Sequence, residues 1–330
     1  MKRILIALLA LVFLGAAVAA VAWWQYSKMI VAPQVAVPNA ETLVVRRGLS
    51  VAQISARLHQ AGAVDWPILF QLHVRLSGNA SKLKAGEYEL HGGDSIASLV
   101  ERMVHGDVYL RKITVPEGLK SSEIVALLNV EQMLVGEITE IPADGSLLPE
   151  TYAYHRGDKR INMLKRMQRA QSALLAALWE ARADNLPLKS AQEALVLASI
   201  IEKETGLSHE RDIVAGVFVN RLRKGMKLQT DPTVIYGVEQ AFGEPMSRPL
   251  SRKDLATPTP YNTYVIDGLP PSPICNPGAA SLRAALAPAQ TDYLYFVADG
   301  SGGHAFAQTL AEHNRNVAAW RKIERARGRP

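Results

Sequence analysis

The sequence contains a single cysteine, Cys275, and few aromatic residues, which make up 6% of the chain. One cysteine excludes an intrachain disulfide framework and any metal site built from several thiolates. The sequence also lacks a Gly-x-Ser-x-Gly elbow, a phosphate-binding glycine loop and a pair of histidines at metal-ligand spacing. Serine hydrolases and nucleotide-binding enzymes are therefore disfavoured, and we expect neither a metal nor a cofactor.

Basic residues only slightly outnumber acidic ones. The 330 residues carry 37 Lys and Arg against 31 Asp and Glu, a net charge of +6, and 48% of them are hydrophobic. These proportions are typical of globular protein and not of a disordered or coiled-coil chain. The basic excess is too diffuse to indicate nucleic acid as a partner. At about 100–200 residues per domain, the length predicts two or three domains.

A long apolar run is present at the N-terminus. Residues 4–24 carry no charge and are mostly aliphatic. As a helix with a rise of about 1.5 Å per residue, they would cross the ~30 Å hydrocarbon core of a bilayer. Lys2 and Arg3 precede the run, which predicts a cytoplasmic N-terminus, and Trp23 and Trp24 end it as an interfacial aromatic belt does.

We predict an uncleaved anchor at residues 1–28, followed by a proline-containing linker at 29–40. The alternative is a cleaved signal peptide, because Ala17-Val18-Ala19 fits a small-x-small cleavage site. The apolar run is longer than a usual signal-peptide core and continues past that site, which favours the anchor. In both cases the remaining chain is extracytoplasmic. A lone cysteine suits the bacterial periplasm, so we predict a single-pass protein of the inner membrane.

A recurrent unit follows the linker. An apolar strand, a glycine turn, a serine and an amphipathic helix occur at 43–58 and again at 88–103, with a looser copy at 113–128. Glycine supplies the turn geometry, and serine caps the helix. Because another helical segment lies between the first two copies, the pattern predicts a small β-α-α-β domain over 41–110. The rest of the chain, 111–330, is predicted as a second, larger domain.

The most informative segment of the larger domain is a helix predicted at 191–206. At about 100° per residue, Glu204 projects onto its apolar face, whereas Ser199, Glu202 and Lys203 occupy the other side. A carboxyl group in apolar surroundings has a raised pKa, because burial disfavours its charged form. In this way a protein keeps a proton donor at neutral pH. The alternative is that Glu204 is a helix-end residue that pairs with a nearby arginine.

Several polar clusters are candidates for binding a substrate. Two tyrosines and an amide on a proline-rich loop could line a carbohydrate groove, although on residue type alone such residues more often pack or cap. The predicted binding residues are Asn220, Arg221, Gln229, Thr230, Asp231, Tyr261, Asn262, Tyr264 and His304.

Six ordered motifs resemble those of the YceG-like endolytic murein transglycosylases, the MltG family. They are LASIIEKETG, SHERD, VFVNRLRKGMKLQTDPTVIYG, ATPTPYNTY, GLPPSPICNPG and YLYFVADGSGGHAF. The resemblance covers about residues 141–320, and the repeat region resembles the LysM-like domain that those proteins carry. It implies an α+β chain with a transmembrane helix, a LysM-like domain at 41–110 and a mixed α/β catalytic domain at 111–330.

The resemblance also implies a reaction. Such enzymes cleave peptidoglycan between N-acetylmuramic acid and N-acetylglucosamine, and one carboxyl group acts as acid and then as base, which leaves a 1,6-anhydro sugar. The segment IIEKET is similar to the Ile-x-x-x-Glu-Ser segment of lysozyme-like lytic transglycosylases, which places the acid on Glu204, with Thr205 in the serine position. Glu202 is the second choice. Penicillin-binding synthases are implied as partners on nascent glycan, where cleavage would terminate elongation.

Two other functions stay open at this point. A muramidase would need a second carboxylate about 5 Å or ~6.5–9.5 Å from the acid, and Asp231 is the candidate on the sequence. The other alternative is a non-catalytic scaffold in which the LysM-like region binds glycan and the larger domain docks partners.

We predict that the N-terminal segment is retained in the mature protein. Intact-mass analysis of the membrane fraction should find full-length chains that include residues 1–24, because the apolar run is long enough to stay in the bilayer. A mature N-terminus near Ala20 would contradict the anchor and support the signal peptide.

Overall fold

The computed structural model describes residues 2–33 and 42–328, which form a mixed α/β chain. The chain divides into two compact units. The first unit comprises residues 1–111 and 153–156, and the second comprises 112–152 and 157–330. The return of 153–156 to the first unit was not anticipated from the sequence.

The first unit opens with the apolar helix α1 (Lys2–Val31), which is long and apolar enough to span a membrane. The helix continues through residues 29–31, which had been predicted as the start of the linker. Most of that predicted linker lies outside the described residues. Near the end of α1, the Tyr26 hydroxyl lies 2.9 Å from Nδ1 of His73.

The remainder of the first unit follows the predicted order of strand, helix, helix and strand, with one more helix after it. The elements are β1 (Thr42–Val45), α2 (Val51–Gln60), α3 (Pro67–Leu76), β2 (Gly86–Glu89) and α4 (Ile96–His105). Strands β1 and β2 pair antiparallel, with Thr42 opposite Glu89. Ser50 and Ser95 cap α2 and α4 through capping boxes, as the repeated unit predicted. The likeness of this unit to LysM domains stays a prediction.

The later elements are mostly helical. They are β3 (Arg111–Thr114), α5 (Ser121–Val130), β4 (Thr151–Tyr154), α6 (Arg160–Glu180), α7 (Ala191–Glu204), α8 (Arg211–Arg223), α9 (Asp231–Phe242), α10 (Arg252–Ala256), α11 (Ala279–Leu286), β5 (Tyr295–Ala298), β6 (His304–Ala307) and α12 (Leu310–Ala326). Strand β3 pairs with β4, and β5 pairs antiparallel with β6. The segment 257–278 contains neither helix nor strand, as predicted.

Helix α7 lies at the centre of the second unit. Every residue from Ala194 to Ile201 is buried, and α6, α8, α9 and α11 all contact the helix. The prediction that Ser199 lies on a solvent-facing side of α7 is therefore wrong. Ser199 is fully buried, and its Oγ accepts a hydrogen bond of 3.0 Å from the backbone N of Ile274. The proline-rich segment covers the face that amphipathic spacing alone assigned to solvent.

Helix α8 packs closely on the segment that leads into β5. A Cβ atom added to Gly216 would lie 2.6 Å from the backbone O of Ala289. About one turn of α8 further on, Nδ2 of Asn220 donates to the carbonyls of Thr291 at 2.7 Å and Tyr293 at 3.1 Å. Glycine is therefore required for the close approach that fixes β5 beside α8.

We predict that Gly216→Ala destabilises the protein. Alanine normally stabilises a helix by about 1 kcal/mol relative to glycine, but the clash with a backbone carbonyl should outweigh this gain by about 1–3 kcal/mol. The thermal midpoint of the detergent-solubilised full chain should fall. Gly206→Ala is the control, since nothing lies within 4 Å of its added Cβ. A midpoint that rises for Gly216→Ala would contradict the tight packing.

Candidate active site

Glu204 is the last residue of α7, and the Thr230 hydroxyl donates a short hydrogen bond to its Oε1. Thr230 precedes α9 and is itself held in place, since its backbone N donates to Oγ1 of Thr263 at 3.0 Å. The hydroxyl of Thr233 lies 2.8 Å from the same Thr263 oxygen. Three buried threonines therefore fix the donor that orients the Glu204 carboxyl group.

The pKa of Glu204 is raised to about 7, and burial of the carboxyl group is the largest cause. The hydrogen bond from Thr230 opposes the rise, the charge of Asp231 adds to it, and electrostatic interactions with His304 and Arg221 oppose it. The raised pKa predicted for a carboxyl on this helix face is therefore found. Glu204 is half-buried and not sealed from solvent, so it can exchange protons.

A cavity of about 300 Å³ opens beside Glu204. Its lining combines the carboxyl groups with a guanidinium, a phenol and two apolar side chains of β5. The lining residues are Glu204, Arg221, Leu228, Gln229, Asp231, Tyr264, Phe296 and Val297. The sequence analysis did not identify Leu228, Phe296 and Val297, because apolar residues in a strand or beside one are usually core.

Arg221 is 8% exposed and is held by backbone carbonyls. Its Nε donates to Leu294 O at 2.6 Å, and its Nη1 donates to Leu228 O at 2.7 Å. Burial lowers the pKa of Arg221, while the negative charge of Glu204 counteracts the change. Arg221 is therefore a fixed cation at the cavity wall. Among the described residues, no carboxylate forms a salt bridge with it.

Asp231 and Tyr264 form a second polar pair at the cavity. The Tyr264 hydroxyl donates to Asp231 Oδ1 at 2.7 Å. Burial raises the pKa of the Tyr264 phenol, and the bond to Asp231 raises it further. The phenol therefore stays protonated and acts as a hydrogen-bond donor.

Gln229 adopts a left-handed backbone conformation with φ 51°. Its backbone N donates to Thr263 O at 3.2 Å, and its side chain is exposed at the cavity. A non-glycine residue in this region costs of the order of 1–3 kcal/mol, and such residues occur often at functional sites.

His304 is held by a carboxylate that the sequence analysis did not identify. Its Nδ1–H donates to Glu210 Oε2 at 2.6 Å, and its backbone N donates to Glu210 Oε1 at 2.8 Å. Glu210 is 6% exposed, and a Cβ on Gly303 would lie 2.6 Å from its Oε1. The available signal was the SHERD motif, in which Glu210 is the central acid.

Five predicted binding residues do not line the cavity. Thr230 bonds to Glu204 and His304 bonds to Glu210, as described above, and the other three are engaged elsewhere. Asn220 holds the segment before β5, as described above, and its side-chain amide is engaged there. Asn262 is fully buried, and its Nδ2 donates to the carbonyls of residues 255 and 257. The Tyr261 hydroxyl pairs with Ser272 Oγ at 2.7 Å, while its ring packs edge-on against Tyr236. Backbone carbonyls, a serine hydroxyl and an aromatic neighbour therefore already engage these side chains, and their role in substrate binding stays a prediction.

Glu202 differs from its predicted position near solvent. It is half-buried, and its Oε2 accepts a hydrogen bond of 2.9 Å from the backbone N of Gly278. It does not line the Glu204 cavity. Over residues 2–33 and 42–328, no three His, Cys, Asp or Glu side chains are grouped as ligands for a metal ion.

Comparisons with known proteins give one consistent result. Residues 43–319 match the YceG-like family. A Bacillus subtilis protein named endolytic murein transglycosylase is 33% identical over an alignment of 300 residues, which covers 81% of this chain and 81% of that protein. A Streptococcus pneumoniae protein of the same name is 26% identical, over 84% of this chain and 58% of its own length. A 2.6 Å crystal structure of a YceG-like protein from Listeria monocytogenes aligns with a TM-score of 0.50 and 31% identity, over 84% of this chain and 98% of that one.

The pKa of Glu204 predicts a pH-dependent stability. A carboxyl whose pKa rises from 4.5 to about 7 on folding binds its proton more tightly in the folded state. Wild-type stability should therefore fall as the pH rises from about 4.5 through 7, by of the order of 1–3 kcal/mol. Gln at this position cannot ionise, so Glu204→Gln should gain stability relative to wild type between pH 5 and pH 8. Thermal midpoints of both proteins at the two pH values provide the measurement, and an unchanged difference would contradict the raised pKa.

Proposed function

The chain belongs to the YceG-like family, and we propose that it is a lytic transglycosylase that cleaves peptidoglycan glycan strands between N-acetylmuramic acid and N-acetylglucosamine. The observation that carries the proposal is the half-buried Glu204 with a pKa of about 7 at the wall of a polar cavity. A carboxyl group with that pKa can both donate and accept a proton at neutral pH. The names of the relatives support the same activity.

In the proposed mechanism, Glu204 acts first as an acid. Because the Thr230 hydroxyl donates to Oε1, the proton of the acid form is carried by Oε2. That proton passes to the glycosidic oxygen as the bond to C1 of the muramic acid breaks. The leaving sugar keeps the proton as a hydroxyl group. Positive charge develops at C1, and the negative charge of Asp231 at the same cavity stabilises it.

Glu204 then acts as a base. Its carboxylate removes the proton from the C6 hydroxyl of the same muramic acid, and the C6 oxygen forms a bond to C1. The product carries a 1,6-anhydro ring, no water is consumed, and Glu204 is protonated again. Arg221 counteracts the negative charge on Glu204 between the two steps, and the Tyr264 and Gln229 side chains at the cavity position the sugar.

A muramidase is the second candidate, and the observation in its favour is that Asp231 lines the same cavity as Glu204. Two carboxyl groups on opposite sides of a sugar are the arrangement that glycoside hydrolases use. In the structure, however, Asp231 Oδ1 accepts the Tyr264 hydroxyl, which favours a fixed, charge-stabilising role over activation of water.

We further propose the cellular setting. Helix α1 holds the chain in the inner membrane with its N-terminus in the cytoplasm, since Lys2 and Arg3 precede the apolar run. The glutamate cavity then acts in the periplasm on glycan strands newly made by penicillin-binding synthases. Cleavage there would terminate strand elongation.

Glu204→Gln should abolish cleavage of purified glycan strands by the full-length chain in detergent. Glutamine keeps the shape and can still accept the Thr230 bond, but it cannot transfer the proton. General acid–base groups contribute about 10²–10⁴-fold, and this carboxyl has both roles. Glu202→Gln is the matched control: it is two residues away, can still accept from Gly278 N, and should keep most activity. The reverse pattern would place the acid on Glu202.

The mass of the products separates the candidates. Anhydro ends are one water lighter than the reducing ends that a muramidase leaves. If only reducing ends are found, the proposed reaction is wrong and the protein is a hydrolase that uses Asp231. If the wild type cleaves nothing, the non-catalytic binding scaffold is favoured.

A further inference from the structure

A second cavity of about 410 Å³ lies in the same unit as the Glu204 site. We propose that this cavity binds a carboxylate of the peptide stem that the muramic acid residues of the glycan carry, and that Lys203 is the residue that binds it. This inference rests on the proposed function, because it names the part of the same substrate that the second cavity holds.

The two cavities flank the same two chain segments. Lys203 and Pro232 line the second cavity, whereas their sequence neighbours Glu204 and Asp231 line the first. Neighbouring Cα atoms are about 3.8 Å apart. The end of α7 and the start of α9 therefore form the strip between the cavities, and a branched polymer held at Glu204 can place its side branch across that strip.

Among the described residues that line the second cavity, one cation is available. Lys120 is paired with Glu239, which also accepts from Met246 N at 2.8 Å. Glu123 accepts from Lys120 N at 2.7 Å at the start of α5. Lys203 is exposed, and its Nζ makes only a long contact of 3.4 Å to Gly118 O.

An ammonium group carries three donors, so Lys203 can bind a carboxylate without giving up an existing ion pair. No carboxylate lies within 4.0 Å of Lys203 Nζ over the described ranges 2–33 and 42–328.

The rest of the cavity suits a short peptide. Pro232, Ile235, Tyr236, Pro245 and Ile274 provide an apolar lining beside the two lysines. Peptidoglycan stems combine alanine methyl groups with free carboxylates, and a lining of mixed character accommodates both.

The test compares two substrates with the full-length chain in detergent. One is glycan with peptide stems that carry free carboxylates, and the other is the same glycan after the stem carboxylates have been converted to amides. Wild type should cleave the acidic strands with a lower KM, by about three- to tenfold, the net scale of one ordinary hydrogen bond in water. The preference should shrink at high salt, which screens exposed charges.

Lys203→Met should lose this preference, mainly in KM, and Lys203→Arg should keep most of it. Lys189→Met is the control, since Lys189 is also exposed but does not line the cavity, and it should keep the full preference. Equal cleavage of both substrates by wild type would overturn the subsite, and so would a Lys203→Met loss that is equal on both. If wild type cleaves neither substrate, the proposed function fails instead.

Discussion

The hydrogen bond from Thr230 to Glu204 joins the end of α7 to the start of α9, and the site depends on it. Burial of the carboxyl group and its place at the C-terminal end of a helix both disfavour the negative charge. The single donor limits that effect without cancelling it, so the pKa of Glu204 settles at about 7. A stronger set of donors would lower the pKa and leave no proton to transfer, whereas no donor would leave the carboxyl group unoriented.

The surrounding fold keeps this balance fixed. Helix α7 is buried on all sides along its middle, so its last turn cannot rotate to expose Glu204. Thr230 is held through Thr263, and Arg221 is held through backbone carbonyls. The groups that set the charge of Glu204 are therefore already held in place without substrate, which is the preorganisation that the proposed electrostatic catalysis requires.

The sequence predicted those features that local spacing determines. The end of α7, the serine caps and the direction of Glu204 all follow from a period of about 3.6 residues and from capping chemistry. The exposure of Ser199 and Glu202 could not be predicted in this way, because a loop more than 70 residues away covers them. Residue type also could not separate Tyr264, which lines the cavity, from Asn262, which lies two residues earlier in the chain and donates to backbone carbonyls. Glu210 was missed because its partner, His304, is 94 residues away in the chain.

The two carboxyl groups of the cavity occupy opposite electrostatic positions, and this asymmetry bears on the reaction. Glu204 ends a helix, where the dipole disfavours negative charge, whereas Asp231 begins one, where the dipole favours it. One group is thus suited to carry a proton and the other to remain an anion beside developing positive charge.

A hydrolase must also place a water between its base and C1. Here the Tyr264 hydroxyl, kept protonated by burial and by Asp231, already fills one acceptor site of that anion. In the proposed transglycosylase reaction the C6 hydroxyl needs no such place, because it belongs to the bound sugar, and only Glu204 must reach it.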